Sequence, residues 1–480
     1  MSILVVDIGT TGIRSAIVRD DGRVDRLTHE VAAPNTPSPG LVEFDAAAMR
    51  DTILGLAGRA QGGERVVGVG IAAQRASTIM WDARTGEPLA PGIGWQDLRT
   101  VGDCLTIRAE TGVAVAPNQT ATKARWLLQS RADVDRANVR IGTVDSWAAW
   151  VLSGGTLHVT DHTNAAVTGL YDATNRDWSA SLLALFGIDR SMMPRIVDSS
   201  GPLGEALTLD GAPMIAGLVG DQQGSLVGQG CIAPGQAKIT FGTGGMLDVI
   251  TGDSPPSSSA RSAAGTFPIV AFANANGLTW GAEAIMLSAG SNVEWLCRDM
   301  GMLDRPEDSD TIAASVDDSA GVTYVPALLG LGTPRWDYGA RGTLLGLTRG
   351  STRAHVVRAV LEGVAHRGAD LVEAAESDTG LTIDSLRVDG GMSRNDTFVQ
   401  ALANATNRPI DVSTVTEATT LGAAYLAGAA CGVWTSLAEA CALWTPRTRV
   451  APTSPLDRPR WREAVDRASG WIPGLSALDF

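Results

Sequence analysis

Asp7-Ile8-Gly9-Thr10-Thr11-Gly12 follows directly on the apolar run Ile3-Leu4-Val5-Val6, and its residue types suit phosphate chemistry. The apolar run reads as a short buried strand and the Gly/Thr cluster as a tight turn. Glycine backbone N–H groups and two threonine hydroxyls offer donors to a phosphate with no bulky side chain in the way. An acid at the strand end can hold Mg²⁺ through water, because that ion keeps part of its hydration shell. An ordinary hairpin turn has the same composition, and recurrence decides between the two. Thr240-Phe241-Gly242-Thr243-Gly244-Gly245 and Val388-Asp389-Gly390-Gly391 repeat the strand-then-glycine arrangement. A further apolar strand, Gly217-Leu218-Val219-Gly220, runs into Asp221-Gln222-Gln223. Burial at such a strand end lets Asp221 face a bound hydroxyl and act as a general base; capping the next helix is the plain alternative.

Other phosphate-binding classes are excluded by residue type. The chain has two lysines, Lys123 and Lys238, and neither precedes Ser or Thr, so the GxxxxGK[ST] loop is absent. The protein-kinase set of HRD, DFG and a strand lysine is absent too. Gly68-Val69-Gly70-Ile71-Ala72-Ala73 fits a dinucleotide turn only superficially, since it lies inside an apolar strand-like run and reads as core packing. The five cysteines are scattered without zinc-ligand spacing, which reads as reduced thiols in a cytoplasm. His158 and His162 stand four apart without further ligands nearby, so no metal site is expected there.

Positioning these turns requires strands alternating with helices. Arg65 to Ile71 and Arg140 to Val144 read as strands, and Lys123 to Ser130 and Ser179 to Phe186 as amphipathic helices. The alternation predicts an α/β architecture. At 480 residues two domains are expected, and the chain begins again near residue 230, where the hairpin-like Gly235 to Thr251 resembles Ile3 to Arg19. The expected domains are 1–230 and 231–480. Helical patterns cover Glu283 to Arg298, His355 to Ser377 and Asn395 to Asn407, with a surface loop at Asp253 to Ser262. Charges along Arg353 to Glu373 read as a solvated face, and the stretch from Trp434, including a helix-like Trp461 to Trp471, as packing decoration. A net charge of −14 argues against a nucleic-acid partner or an anionic membrane surface. No targeting segment or membrane-length apolar run is read in the sequence.

The motifs together resemble the FGGY carbohydrate kinases, within the actin, hexokinase and Hsp70-like superfamily, and most of all glycerol kinases. The most specific stretch is Gly342-Thr-Leu-Leu-Gly346-Leu347, then His355-Val356 and Ala359-Val-Leu-Glu362. Further echoes are Gly40 to Asp45, Gln74-Arg75, Trp95-Gln96-Asp97, Ala121-Thr122-Lys123, Asp145-Ser-Trp147, His158-Val-Thr-Asp161, Gly220 to Gln223 and Thr419 to Ala424. The resemblance implies a two-domain actin/hexokinase-like (ribonuclease H-like) α/β fold with the active site in the cleft between the domains. It implies ATP and Mg²⁺ as cofactors and a small polyol or sugar as acceptor. Thr10, Thr11 and Arg14 would approach the transferring phosphate, with Gly12 in the same turn and Asp7 organising Mg²⁺. Gly242 and Thr243 would hold nucleotide phosphates from the second domain, and Gly390, Gly391 and Asn395 would border the adenosine. Asp221 would be the catalytic base, and Arg75, Trp95, Asp221 and Gln222 would bind the acceptor.

The chain departs from glycerol kinases at several positions. Gly12 stands where they usually carry serine, which removes a hydroxyl donor near the phosphate. Ala76 replaces a glutamate, Asn118 a tyrosine, and Met246 an aromatic residue. Losing a carboxylate and a phenol leaves a larger, still polar pocket, and sites built to bond particular hydroxyls discriminate strongly when the partners change. Glycerol, giving glycerol 3-phosphate, is the first named acceptor; erythritol, threitol, xylulose or ribulose is the alternative. The short segment Leu209 to Pro213 lacks a basic fructose-bisphosphate loop, so that regulation is not expected. A non-catalytic nucleotide-binding relative is the reading from another class, opposed by Asp221 and the intact C-terminal signature. A sugar-responsive transcription factor would need a helix-turn-helix extension. The resemblance also implies a homo-oligomer, a dimer or a tetramer.

Overall fold

Short apolar strands separated by glycine turns build two sheets on one plan. The computed structural model of the chain describes residues 1–256, 261–414 and 417–478; residues 257–260 of the expected Asp253 to Ser262 loop lie outside these. In the first half, β1 (Ser2–Ile8), β2 (Gly12–Arg19) and β3 (Val24–Val31) form an antiparallel meander. Helix α1 (Ala46–Gln61) follows, started by Asp45, whose carboxylate accepts from the Ala47 and Ala48 N–H groups at 2.8 and 3.0 Å. Its Met49, Ile53, Leu56 and Ala60 recur at helical spacing and bury one stripe against the sheet. Strand β4 (Gly68–Ala73) then pairs parallel with β1. After α2 (Thr120–Ser130) come β5 (Ser200–Glu205) and β6 (Met214–Gly220), completing the order β5-β6-β4-β1-β2-β3.

The second half repeats the plan. Helix α3 (Asp221–Gly228) leads to the hairpin of β7 (Ala237–Phe241) and β8 (Gly245–Gly252), then β9 (Phe267–Asn274) and β10 (Gly277–Met286). Helices α4 (Gly290–Arg298) and α5 (Arg353–Thr379) precede β11 (Leu386–Asp389), α6 (Asp396–Thr406), β12 (Ile410–Ser413) and α7 (Ala418–Ala430). Strand β13 (Pro446–Val450) and α8 (Arg458–Ala468) follow, before a last short helix at Pro473–Ser476. The second sheet runs β9-β10-β8-β7-β11-β12-β13. In each sheet a central strand has an antiparallel hairpin partner on one side and a parallel neighbour on the other.

Helix α7 belongs to the second half in sequence but packs on the first sheet. A Cβ at Gly70 or Gly217 would lie 2.5 or 2.8 Å from the Ala423 carbonyl oxygen, so glycine is required where helix and sheet meet. That contact explains the glycine spacing of Gly68 to Ala73 as packing.

Several expected elements need correction. Glu283 to Met286 lies in β10, and helix α4 starts only at Gly290. Glu283-Ala-Ile-Met suits a helix locally, but strand pairing with β8, and at Glu283 with β9 as well, outweighs that preference. The α5 charges do not form one solvated face. Arg367 is 1% exposed and its guanidinium meets Asp370 at 2.6 Å. Trp461 of α8 is also buried, its indole N–H donating to Asp370 at 3.0 Å, so the C-terminal helix begins earlier than expected and covers these charges. Strands 65–71 and 140–144 shift to Gly68–Ala73 and Val139–Gly142. His158 stacks edge-on against Trp81, ring centroids 5.1 Å apart, and burial lowers its pKa to about 4.

Candidate active site

The first turn closes with the Gly9 N–H donating to the Gly12 carbonyl at 3.0 Å, which sets Thr10 and Thr11 between β1 and β2. Thr11 is exposed and Thr10 half-buried. The Trp95 indole, 37% exposed, donates to Thr10 Oγ1 at 3.0 Å, so the expected acceptor wall touches the expected phosphate turn. Beneath the turn, Asp7 is buried and receives the Thr420 hydroxyl at 3.3 Å. Arg14 lies 3.7 Å from Asp7 and 3.5 Å from Glu417 of the second half. Burial raises the Asp7 pKa to about 7 against the opposing pull of Arg14. A bound cation would relieve that cost of burying its charge.

Asp221 opens α3 at the end of β6. Its Oδ1 accepts from the Gln222 backbone N–H at 2.8 Å and lies 3.7 Å from Arg75 Nε. Burial raises its proton affinity, and Arg75 opposes the rise. Arg75 in turn reaches across to the second sheet, with Nη2 2.6 Å from Glu283 Oε2. Glu283 belongs to a row set by strand register. Lys238 of β7 lies opposite Asp248 of β8, and Asp248 lies opposite Glu283 of β10. Lys238 Nζ meets Asp248 at 2.9 Å, the Gln222 side-chain oxygen at 2.8 Å and Thr240 Oγ1 at 2.9 Å. The row therefore fixes Arg75 and Gln222, which flank Asp221. Arg75 Nη1 is buried and without a hydrogen-bond partner, a donor with capacity to meet an oxygen from outside the chain.

The remaining expected positions divide. Met246, two residues before Asp248, shares its face of β8 and lies opposite Thr240 and Ile285. Ala76 is buried at φ 63°, and its carbonyl receives Lys123 Nζ at 3.3 Å and Thr120 Oγ1 at 3.2 Å. Asn118 is exposed, and its carbonyl accepts from Lys123 at 2.8 Å. Gly242 and Thr243 are exposed in the second turn, where their carbonyls accept the N–H groups of Gly290 and Ala289 at 2.9 and 2.8 Å. At Gly390, φ is 86° and a Cβ would lie 2.4 Å from the Phe241 carbonyl, whereas Gly391 faces open space. The Asn395 side chain caps α6, accepting from Phe398 N at 2.8 Å and donating to Ser309 at 3.0 Å.

Sequence reasoning missed Glu283, Lys238 and Asp248 as parts of this site. Their available signal was a single charge set in an otherwise apolar strand, as in Ala237-Lys-Ile-Thr-Phe241 and Leu247-Asp-Val249. Helical patterning over Glu283 hid the third.

Two glycine turns thus flank a half-buried acid, Asp221, held beside Arg75, and comparison with known proteins bears on that geometry. The N-terminal domain of the FGGY family of carbohydrate kinases matches residues 2–228, and its C-terminal domain matches residues 237–431. The chain is 41% identical to a glycerol kinase of Aromatoleum aromaticum over 98% of its own length and 99% of that protein's. It is 38% identical to a glycerol kinase of Thermus brockianus, with 98% and 99% covered. Among solved structures, Plasmodium falciparum glycerol kinase with ADP superposes with a TM-score of 0.89 at 28% identity, covering 100% of this chain and 99% of that one. A xylulose kinase from Brucella ovis gives 0.83 at 28% identity, with 100% of both chains covered. Sharing both halves of the fold and the sequence along nearly its whole length, the chain belongs to the FGGY family of carbohydrate kinases, phosphotransferases with an alcohol group as acceptor.

Proposed function

We propose that the protein transfers the terminal phosphate of ATP to a hydroxyl of a small polyol, with glycerol as the first acceptor and glycerol 3-phosphate as product. The observation that carries this reading is the meeting of Arg75 and Gln222 at Asp221, together with the bond from the Trp95 indole to Thr10 of the first turn. Asp221 takes the acceptor proton as the hydroxyl oxygen attacks phosphorus, and Arg75 and Gln222 orient the alcohol. Thr10, Thr11, Gly12 and Arg14 line the transferring phosphate; Gly242 and Thr243 hold the other nucleotide phosphates. Gly390 and Gly391 leave room for the adenosine beside Asn395.

Asp7 suits Mg²⁺ held through water: it is a buried acid with a raised pKa. No group of three or more ligating side chains forms among the described residues, which suits an ion carried chiefly by nucleotide phosphates. Such an ion supplies neutralisation of phosphate charge. We propose domains 1–230 and 231–480, supported by the family matches on either side of residue 230. Five free cysteines support a cytoplasmic setting. No described helix is long and apolar enough to cross a membrane. The homo-oligomer remains a proposal from family resemblance.

A second reading, a four- or five-carbon polyol or ketose, is favoured by the carboxylate missing at Ala76 and the exposed Asn118. An ATP- and Mg²⁺-dependent screen tests both, comparing glycerol with erythritol, threitol, xylulose and ribulose and using Asp221→Asn as control. Glycerol turnover lost in Asp221→Asn supports the first reading. A strong four- or five-carbon acceptor with negligible glycerol turnover supports the second. Turnover that survives Asp221→Asn overturns the mechanism.

A further inference from the structure

Gly12 and His29 occupy one another's space. A Cβ at Gly12 would lie 2.5 Å from His29 Nε2, 3.3 Å from its Cδ2 and 3.2 Å from the Glu30 carbonyl oxygen. The imidazole edge therefore crosses the α-carbon of a turn residue whose side chain is missing. Strand register carries the ring there: Asp7 lies opposite Arg14, and Arg14 lies opposite His29, so the three form a row across β1, β2 and β3. Gly12 is two residues from Arg14 and shares its face. The ring is exposed, and no hydrogen bond joins it to another described residue. An available Nε2 thus stands over the same turn that presents Thr10 and Thr11.

We infer that His29 is a phosphate-binding residue, its Nε2–H donating to the terminal phosphate of the nucleotide in place of the side-chain donor missing at Gly12. The inference rests on the reading of Thr10 to Gly12 as the phosphate turn. It makes residues 12 and 29 an exchangeable pair: glycine with histidine, or a hydroxyl residue with a small one. A serine at position 12 beside His29 would force the ring out of place, and a small residue at 29 beside Gly12 leaves the phosphate one donor short.

The test measures binding of Mg²⁺ with ADP, and of Mg²⁺ with a nonhydrolysable ATP analogue, by titration calorimetry of the full chain. Wild type is compared with His29→Ala, His29→Asn, Gly12→Ser and the double variant Gly12→Ser/His29→Ala. Thermal melting accompanies each measurement. A hydrogen bond to a charged oxygen predicts that His29→Ala weakens the analogue by roughly tenfold and ADP by less than about twofold. Asparagine at 29, with its own donor, should retain part of the affinity. The double variant should bind the analogue better than either single variant. Equal analogue affinity in wild type and His29→Ala overturns the inference, as does an equal loss for ADP and analogue. If wild type binds neither nucleotide, the kinase reading fails with it; if wild type binds both and His29→Ala changes nothing, the inference alone fails.

Discussion

Glu283→Gln isolates the ion pair that joins the two halves of the site. Arg75 Nη2 lies 2.6 Å from Glu283 Oε2, and the two side chains are 10% and 8% exposed. With charge centres about 4 Å apart and an effective dielectric constant of about 20, their attraction is about 4 kcal/mol. Desolvation of two largely buried groups takes back part of it, and couplings measured for close charge pairs start at about 1.5 kcal/mol, so a coupling of about 2 kcal/mol is expected. Glutamine keeps the shape and a hydrogen-bonding oxygen, so the main effect falls on the orientation of Arg75. The expected result is about a thirtyfold fall in kcat/KM for the acceptor, with KM for ATP within about twofold of wild type. Arg75→Gln and the double variant complete a cycle, in which the double variant loses far less than the sum of the single losses. ADP release coupled to NADH oxidation supplies the kinetics, and urea unfolding checks that each variant folds. A coupling below about 0.5 kcal/mol, or wild-type acceptor kinetics in Glu283→Gln, would refute the role given to the charged row.

Further predictions bear on the base, the packing and the pH response. Asp221→Asn should lower kcat by about 10²- to 10⁴-fold while leaving nucleotide binding nearly unchanged, as single-turnover kinetics and calorimetry would report. Gly70→Ala should destabilise the fold by about 1–3 kcal/mol, because its Cβ meets the Ala423 carbonyl rather than a yielding side chain. Gly58→Ala, in the exposed interior of α1 with nothing within 4 Å of a Cβ, should instead stabilise it by about 0.5–1 kcal/mol in urea unfolding. Burial, reinforced by Asp161, raises the Asp145 pKa from 3.8 to about 7, so the native state keeps a proton that the unfolded chain releases. Its contribution makes stability fall as pH rises between those values, and Asp145→Asn should make that fall shallower in melts across the range. An unchanged pH slope in Asp145→Asn would contradict the assignment.

Much of the plan was readable along the chain. The glycine turns after apolar strands mark the same end of the central strand in both sheets, because only a buried strand ending in small residues leaves backbone donors accessible. The place of Asp221 at a strand end was legible for the same reason, an acid immediately after an uninterrupted apolar strand. The long helix His355 to Ser377 was legible from periodicity, but the burial of Arg367 was not, since its cover comes from Thr333 and from α8 about a hundred residues away. Glu283 was misread as helical because its neighbours' intrinsic preferences are local, whereas the pairing that makes it a strand is supplied by β8 and β9.

By itself the sequence determined the α/β repeat, the turns and the acid between them, all of which depend on the order of neighbouring residue types. Only tertiary structure decided which charges meet. Register across three strands aligns Lys238, Asp248 and Glu283, and the meeting of the two halves delivers Arg75 to that row from 208 residues away. The same holds for His29 and Gly12, whose proximity follows from how β3 lies against β2. Strand register and interdomain docking are settled by the summed burial of many side chains, so the contacts they create leave no local pattern to read.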